Sequence, residues 1–448
     1  MLLSYHLLRN PRKSGEAGAT ICHIHMLPEM GYPRSDIVME REMRQMLRIT
    51  AVFLMSFAAA ALASQQGSAG EEPGHSMPTS SRPVKSTLAV GVTLDASGRL
   101  WLARVEDQRL LVSWSEDDGK SFSNPVLVTP EPENISADGE SRPKIAVARD
   151  GTVLLSWTHS LPQKYAGNIR FARSTDSGRT FSKPVTLNDD DRLTSHRFDS
   201  LAIDGDGRVV VAWLDARDRD ATKERGEAFS GVSLYTAQSF DNGANFGRNR
   251  SFQAHTCECC RTAVTWTKDG PVVVWRNIFD INTRDFAMAN LDKGGVRRVT
   301  RDNWQIDACP HNGASIAADR WGKLHMAWFT NGAARQGLFY KNIDGNWESR
   351  PMPVGNPAAQ ANHAGVAVAD KLVLLTWREF DGQSYSAQMM YSINGGESWS
   401  EPTQVMVSAG ATDYPVPLID NKKVLIAWNT AKEGLRIFPV ERITARRR

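Results

Sequence analysis

The chain has 448 residues, a formal net charge of +3, 41% hydrophobic and 23% charged residues. That is enough apolar material for a large core, and too much for a disordered chain to be the reading. A charge so close to neutral excludes nucleic acid and an anionic membrane surface as expected partners. The three closing arginines, Arg446–Arg448, read as a solvated tail.

Taken from the amino terminus, the first recognisable element is the apolar run of residues 49–63, which ends Ala61-Leu62-Ala63 and follows Arg41, Arg44 and Arg48. A basic stretch, a short apolar stretch and small residues at the end describe a secretory signal, with cleavage expected before Ser64. Fifteen residues are few for a membrane span, and no later run is long enough to be one. The expected start is Met43 or Met46, which makes residues 1–42 an over-extended reading frame and 43–63 the signal. Residues 64–86, rich in Ser, Gly, Pro and Glu, read as a flexible lead-in. The mature protein is therefore expected to be exported, to the periplasm or beyond, with residues 87–448 as its folded domain.

Beyond residue 87 a short apolar run closing in Trp recurs. Its copies end at Trp157, Trp213, Trp275, Trp328, Trp377 and Trp428, and a seventh, Leu100–Arg104, carries Arg in the Trp position. Continuous apolar runs of this length predict strands buried on both faces. A second element alternates with the first. Ser115-Glu116-Asp117-Asp118-Gly119-Lys120-Ser121-Phe122 shares the pattern Ser-x-Asp-x-Gly-x-x-aromatic with the stretches opening at Ser174 and Ser239, and the copy at Ser392 has Asn394 for Asp. This composition predicts a tight hairpin turn, Asp accepting from the backbone and Gly supplying positive φ. Weaker turns at Asp292–Gly295 and Asn342–Gly345 fill the intervening places. Spacings of about fifty to sixty residues match a four-stranded propeller blade. The expectation is an all-β propeller with seven blades, six being the alternative, its ring closed by a segment near residues 80–87.

The repeated Ser-x-Asp-x-Gly turns resemble the Asp-box of the sialidase family, over roughly residues 88–444. The resemblance implies a propeller with these turns on its periphery and a ligand site at the channel mouth. It also implies an exo-sialidase type of hydrolysis. Arg197, in Arg197-Phe198-Asp199, matches the family's first arginine, which grips the substrate carboxylate. The acidic loop Asp215-Ala216-Arg217-Asp218-Arg219-Asp220 stands where the family carries its acid/base, Asp218 being the residue expected. Arg378 matches a second arginine and Tyr414 the nucleophilic tyrosine, with His363 near the place of the activating glutamate. Arg217 and Arg276 complete the list of expected anion-binding residues. An arginine fork suits a sugar carboxylate because it bonds both oxygens at once. Strand-end Trp-Arg pairs also serve structure, and for Arg276 and Arg378 both roles stay open.

The most distinctive stretch is His255-Thr256-Cys257-Glu258-Cys259-Cys260-Arg261, with Cys309-Pro310-His311 one unit later. Four of five cysteines lie here, the fifth being Cys22 in the leader. Two disulfides, one joining Cys309 to the trio, are the simplest expectation for an exported chain. A thiolate site for copper(I) or zinc, completed by His255 or His311, is the alternative. The pair of cysteine motifs also resembles an exported bacterial subgroup of sialidase-like propellers. The leading functional reading is binding, extending to hydrolysis, of an anionic glycan with no cofactor required. Its rival is a non-catalytic, metal-handling propeller.

Overall fold

The structure, a computed structural model, describes residues 87–420, 422–441 and 443. The signal, the leader with Cys22, the lead-in, the closing arginines and all but the last residue of the expected closing segment lie outside them.

The described chain is a β-propeller of antiparallel sheets. The first unit is β1 (Gly91–Leu94), β2 (Leu100–Glu106), β3 (Arg109–Ser115) and β4 (Val126–Leu127), paired in that order. The second is β5 (Lys144–Val147), β6 (Val153–Ser160), β7 (Gly167–Ser174) and β8 (Val185–Thr186). The third is β9 (His196–Ile203), β10 (Val209–Asp215), β11 (Val232–Ser239) and β12 (Arg250–Thr256), with helix α1 (Arg217–Glu224) after β10. A single pair, Thr256–Asn277, joins β12 to the fourth unit. That unit is β13 (Ala263–Thr267), β14 (Gly270–Phe279), β15 (Thr283–Asn290) and β16 (Gly294–Arg298). The fifth comprises β17 (Ser315–Ala318), β18 (Leu324–Asn331), β19 (Gln336–Asp344), β20 (Trp347–Glu348) and β21 (Met352–Val354). The sixth is β22 (Asn362–Ala369), β23 (Leu372–Phe380), β24 (Tyr385–Ser392) and β25 (Thr403–Ser408). Three strands, β26 (Val416–Ile419), β27 (Val424–Thr430) and β28 (Gly434–Pro439), end the described chain.

The apolar runs are the second strands, and their tryptophans are the largest buried side chains. Trp157, Trp213, Trp275, Trp328, Trp377 and Trp428 are all fully enclosed. Each indole N–H, which would be costly to bury unbonded, finds an acceptor: Glu133, Asp215, Asn277, Asp302 and Glu379 side chains, and the Asp413 carbonyl. In β2 the buried indole is Trp101, three residues before Arg104, and it bonds Asp95 at 2.8 Å.

The four Ser-x-Asp/Asn-x-Gly turns share one bonding pattern. In the first, Asp117 accepts from the Ser121 N–H at 2.9 Å and the Ser115 hydroxyl at 2.7 Å, while Ser115 Oγ accepts from the Gly119 N–H at 2.8 Å. Asp176, Asp241 and Asn394 repeat it. Side-chain bonds from the Ser121 hydroxyl to Asp117 and from the Asn245 amide to Asp241, with backbone N–H bonds beside them, hold both carboxyls down to about 2. Glycine is required in the turn because the backbone is left-handed and the preceding unit's wall is close. At Gly178 φ is +80° and an added Cβ would stand 2.6 Å from the Trp101 ring.

Candidate functional site

Segments preceding or opening the innermost strands converge, and their polar side chains meet. Arg142 bonds Asp413 through both nitrogens, at 2.9 and 3.2 Å, and also reaches the Val90 carbonyl. Asp413 is buried deeply enough that desolvation outweighs Arg142 and raises its pKa. Lys144 approaches Asp199 at 3.8 Å, and Asp199 accepts from Ser156 at 2.6 Å. Glu140 pairs with Arg261 and accepts the Arg261 and Gly313 N–H groups at 3.0 Å. The second unit is thereby tied to the third, fourth, fifth and last by charge-assisted bonds around a common centre.

Tyr414 and His363 sit beside this network. Their rings stack with centroids 3.6 Å apart and 14° between planes, and Arg378 lies 5.1 Å over the Tyr414 ring. Burial raises the Tyr414 pKa. His363 makes contacts at both nitrogens, 2.6 Å to Asn362 Oδ1 and 2.9 Å to the His311 carbonyl. Burial, helped by Arg378 and Arg261, keeps its pKa well below the usual histidine value. A base must meet a phenol edge-on, along a nitrogen lone pair. Here the imidazole presents its face, so the arrangement expected for an activated tyrosine is not formed. Arg378 itself spends its donors on Asn362 and on Thr412.

Arg197 lies elsewhere, in the wall of a cavity of about 630 Å³ shared with Tyr165, Arg219, Cys259, Cys309 and His311. Its position comes from a bulge: β9 pairs with β10 at Ser200–Ala212 and again at Arg197–Leu214, with a register shift between. Phe198 absorbs it at φ +61°. Bulges of this kind re-aim side chains next to functional sites. Arg197 has no ion pair among the described residues, and its Nε has no hydrogen-bond partner. Desolvation lowers its pKa from the ordinary arginine value, though a guanidinium stays charged. Arg219 in the same wall is already paired with Asp220 at 2.9 Å. Tyr165, 67% exposed, faces the cavity with Lys164 4.9 Å from its ring centre.

Asp218 does not line this cavity. Its carboxylate accepts from Ser233 at 2.6 Å, Tyr235 at 2.7 Å and Ser251 at 3.1 Å, which ties α1 to β11 and β12. Arg217 is held by Asp215 and Asp189, at 2.8 and 2.7 Å, and lies over the Tyr235 ring. Arg276 is enclosed in the core, donating to the carbonyls of Arg284, Asn312 and Phe329 between the Phe286 and Trp304 rings. These three therefore hold the fold together, where an acid/base and two anion ligands were expected.

The cysteines come together as their placement in adjacent units implied. Cys257 Sγ lies 3.8 Å from both Cys259 and Cys260, all three buried, and no disulfide joins the four thiols. Cys259 also faces Cys309 and His311, with donor atoms within 4.8 Å of one another. His255 is outside the cluster, stacked on Phe229 and bonded to the Ser230 carbonyl. Arg284 donates to Cys257 Sγ at 3.3 Å. Hydrogen bonds from its two neighbouring thiols, with Arg276 and Arg284 nearby, hold Cys257 well below an ordinary thiol pKa. Burial pushes Cys260 up to about 12. Glu140, Arg142, Asp413 and Arg284 carry no motif, and only alignment of the innermost strands would have singled them out.

No protein-family description matches the chain, and no curated protein does. Among solved structures, an ulvan lyase of a new polysaccharide lyase family, bound to -[GlcA(1-4)Rha3S]-, is 14% identical. The match covers 80% of this chain and 93% of that one, with a TM-score of 0.50. A Penicillium chrysogenum alpha-L-arabinanase complexed with arabinobiose is 15% identical over 72% and 93%, TM-score 0.45. A protein of unknown function from Dyadobacter fermentans is 14% identical over 79% and 94%, TM-score 0.42. At such identities the likeness is one of fold. Among the described residues, no helix is long and apolar enough to cross a membrane.

Proposed function

We propose that the cavity binds an anionic sugar, with its carboxylate on Arg197. The observation that carries this is a half-buried guanidinium in the wall of a roomy cavity, with no ion pair among the described residues and an unpartnered Nε. An uncompensated buried charge is unfavourable, so a carboxylate entering the cavity gains charge-assisted hydrogen bonds and relieves that cost. Tyr165 offers an aromatic face for a sugar ring, and Lys164 adds positive charge at the mouth. The glucuronic acid in the ulvan lyase complex makes uronates a natural first ligand to try.

Calorimetric titration with sialic acid- and glucuronate-terminated oligosaccharides tests the reading. Arg197→Met should weaken binding at least tenfold, since a charge-assisted bond contributes about 1.5–3 kcal/mol. Equal affinity of the variant, or equal affinity of the wild type for neutral sugars, would overturn it. Hydrolysis of the exo-sialidase type is the finer form of this reading, and it requires Tyr414 as nucleophile. Its face-to-face contact with His363 argues against that step. Release of a fluorophore from a sialoside, lost in Tyr414→Phe, would establish it; no release by the wild type leaves binding alone.

A further inference from the structure

In the wall of the sugar cavity, which Cys259, Cys309 and His311 help to line, we infer that Cys257, Cys259, Cys260, Cys309 and His311 form a binuclear copper(I)–thiolate site. The distances come first. A metal–sulfur bond of about 2.3 Å, with S–metal–S angles of about 110–120°, sets two thiolates about 3.8–4.0 Å apart. Cys257 stands 3.8 Å from each of Cys259 and Cys260. That is far beyond the ~2.05 Å of a disulfide; it matches thiolates sharing one ion and equally hydrogen-bonded thiols, between which the donor sets and the charge decide.

The donor sets come next. Cys257, Cys259 and Cys260 make one group of three, and Cys259, Cys309 and His311 make another, so Cys259 is common to both. A thiolate can bridge two metal ions. Zinc in a closed structural site takes four ligands, whereas each group here offers three. Soft sulfur donors in threes suit copper(I), which is satisfied by trigonal coordination.

Charge is the independent observation. Arg276 is fully enclosed and Arg284 nearly so, and neither has a carboxylate partner among the described residues. Buried guanidiniums without counter-ions are unfavourable unless anions lie near. Arg284 is bonded to Cys257 Sγ itself. Four thiolates carry four negative charges, two copper(I) ions remove two, and the two arginines balance the remainder. No such balance exists for neutral thiols or disulfides. His311 and Cys309 are exposed, which gives the outer ion a way in, while the inner trio is closed to water.

The test uses the full chain with Cys22→Ser, reduced and titrated with copper(I) under anaerobic conditions against bicinchoninate. Two copper ions per chain should be withheld from the chelator, with thiolate-to-copper absorption in the near ultraviolet. Cys309→Ser combined with His311→Ala changes only exposed groups and should lower the count to one. Cys259→Ser should lose both, its circular dichroism reporting whether the fold survives. Fewer than two ions in the parent, two retained by the double variant, or zinc displacing copper(I) would each overturn the site. So would protein isolated after export with the four thiols paired as disulfides.

Discussion

Single side chains divide between those whose bonds are complete and those left open, and this division separates structure from function. Asp218 belongs to the first kind. Asp218→Ala should cost about 1–3 kcal/mol in a urea titration, because three hydroxyls lose a charged acceptor, while sugar affinity stays within twofold. His196 is a titratable group held between acidic side chains. It is enclosed, with Asp190 at 2.9 Å, Asp215 at 3.7 Å and the Gly167 carbonyl at 2.7 Å. Burial opposes its charge, but the bond to Asp190 and the field of Asp215 prevail and raise its pKa. The protonated form is therefore favoured in the fold. Its contribution is complete below the unfolded pKa of about 6.5 and fades as pH rises through the higher native value. The stability gap between wild type and His196→Gln should narrow as pH rises above about 6.5; a constant gap would show that the charge is irrelevant. None of this bonding was legible in the sequence, where Asp218 stood out only as the expected acid/base of an acidic loop and His196 as a polar residue near a strand end.

At the level of the strand and the turn, sequence and structure agree closely, since both elements are built from local chemistry. The Trp-ending runs are buried on both faces because sheets pack against them from either side. Trp213→Ala should cost about 3–5 kcal/mol by chemical denaturation, combining lost transfer energy with the cavity left behind. The turn glycine is equally constrained. Gly178→Ala would demand a strained backbone and a shift of the Trp101 ring, so a loss of at least ~1 kcal/mol is expected. A variant as stable as wild type would mean the hairpin can be displaced. The run Leu100–Arg104 keeps Arg104 in the place of the tryptophans, since Ala103 pairs with Gly91 as Ala212 pairs with Ser200 just before Trp213; its buried indole, Trp101, belongs to the opposite face of the strand.

Across the molecule, the first and last units are joined without any strand lying between them among the described residues. Asn429 donates to the Leu88 carbonyl at 2.8 Å, Val90 N–H donates to Asp413, and Ile437 packs against Gly119. The Arg142–Asp413 pair spans 271 residues of sequence. Removing one partner of a buried ion pair strands the other, so Asp413→Ala should cost about 3–5 kcal/mol. Loss should appear as a lower denaturation midpoint, and an unchanged midpoint would mean that closure rests on other contacts.

What the sequence determined by itself was the periodic part: all-β strands, recurring buried tryptophans and hairpin turns. Those follow from short-range patterning, which needs no knowledge of distant partners. Only the tertiary structure decided that Arg197 faces a cavity apart from Tyr414, that Asp218 is already bonded, and that Arg276 and Arg284 lie beside the thiols. Such juxtapositions depend on a bulge at Phe198, on loop conformation and on the spacing of the innermost strands, none of which is written in residue intervals.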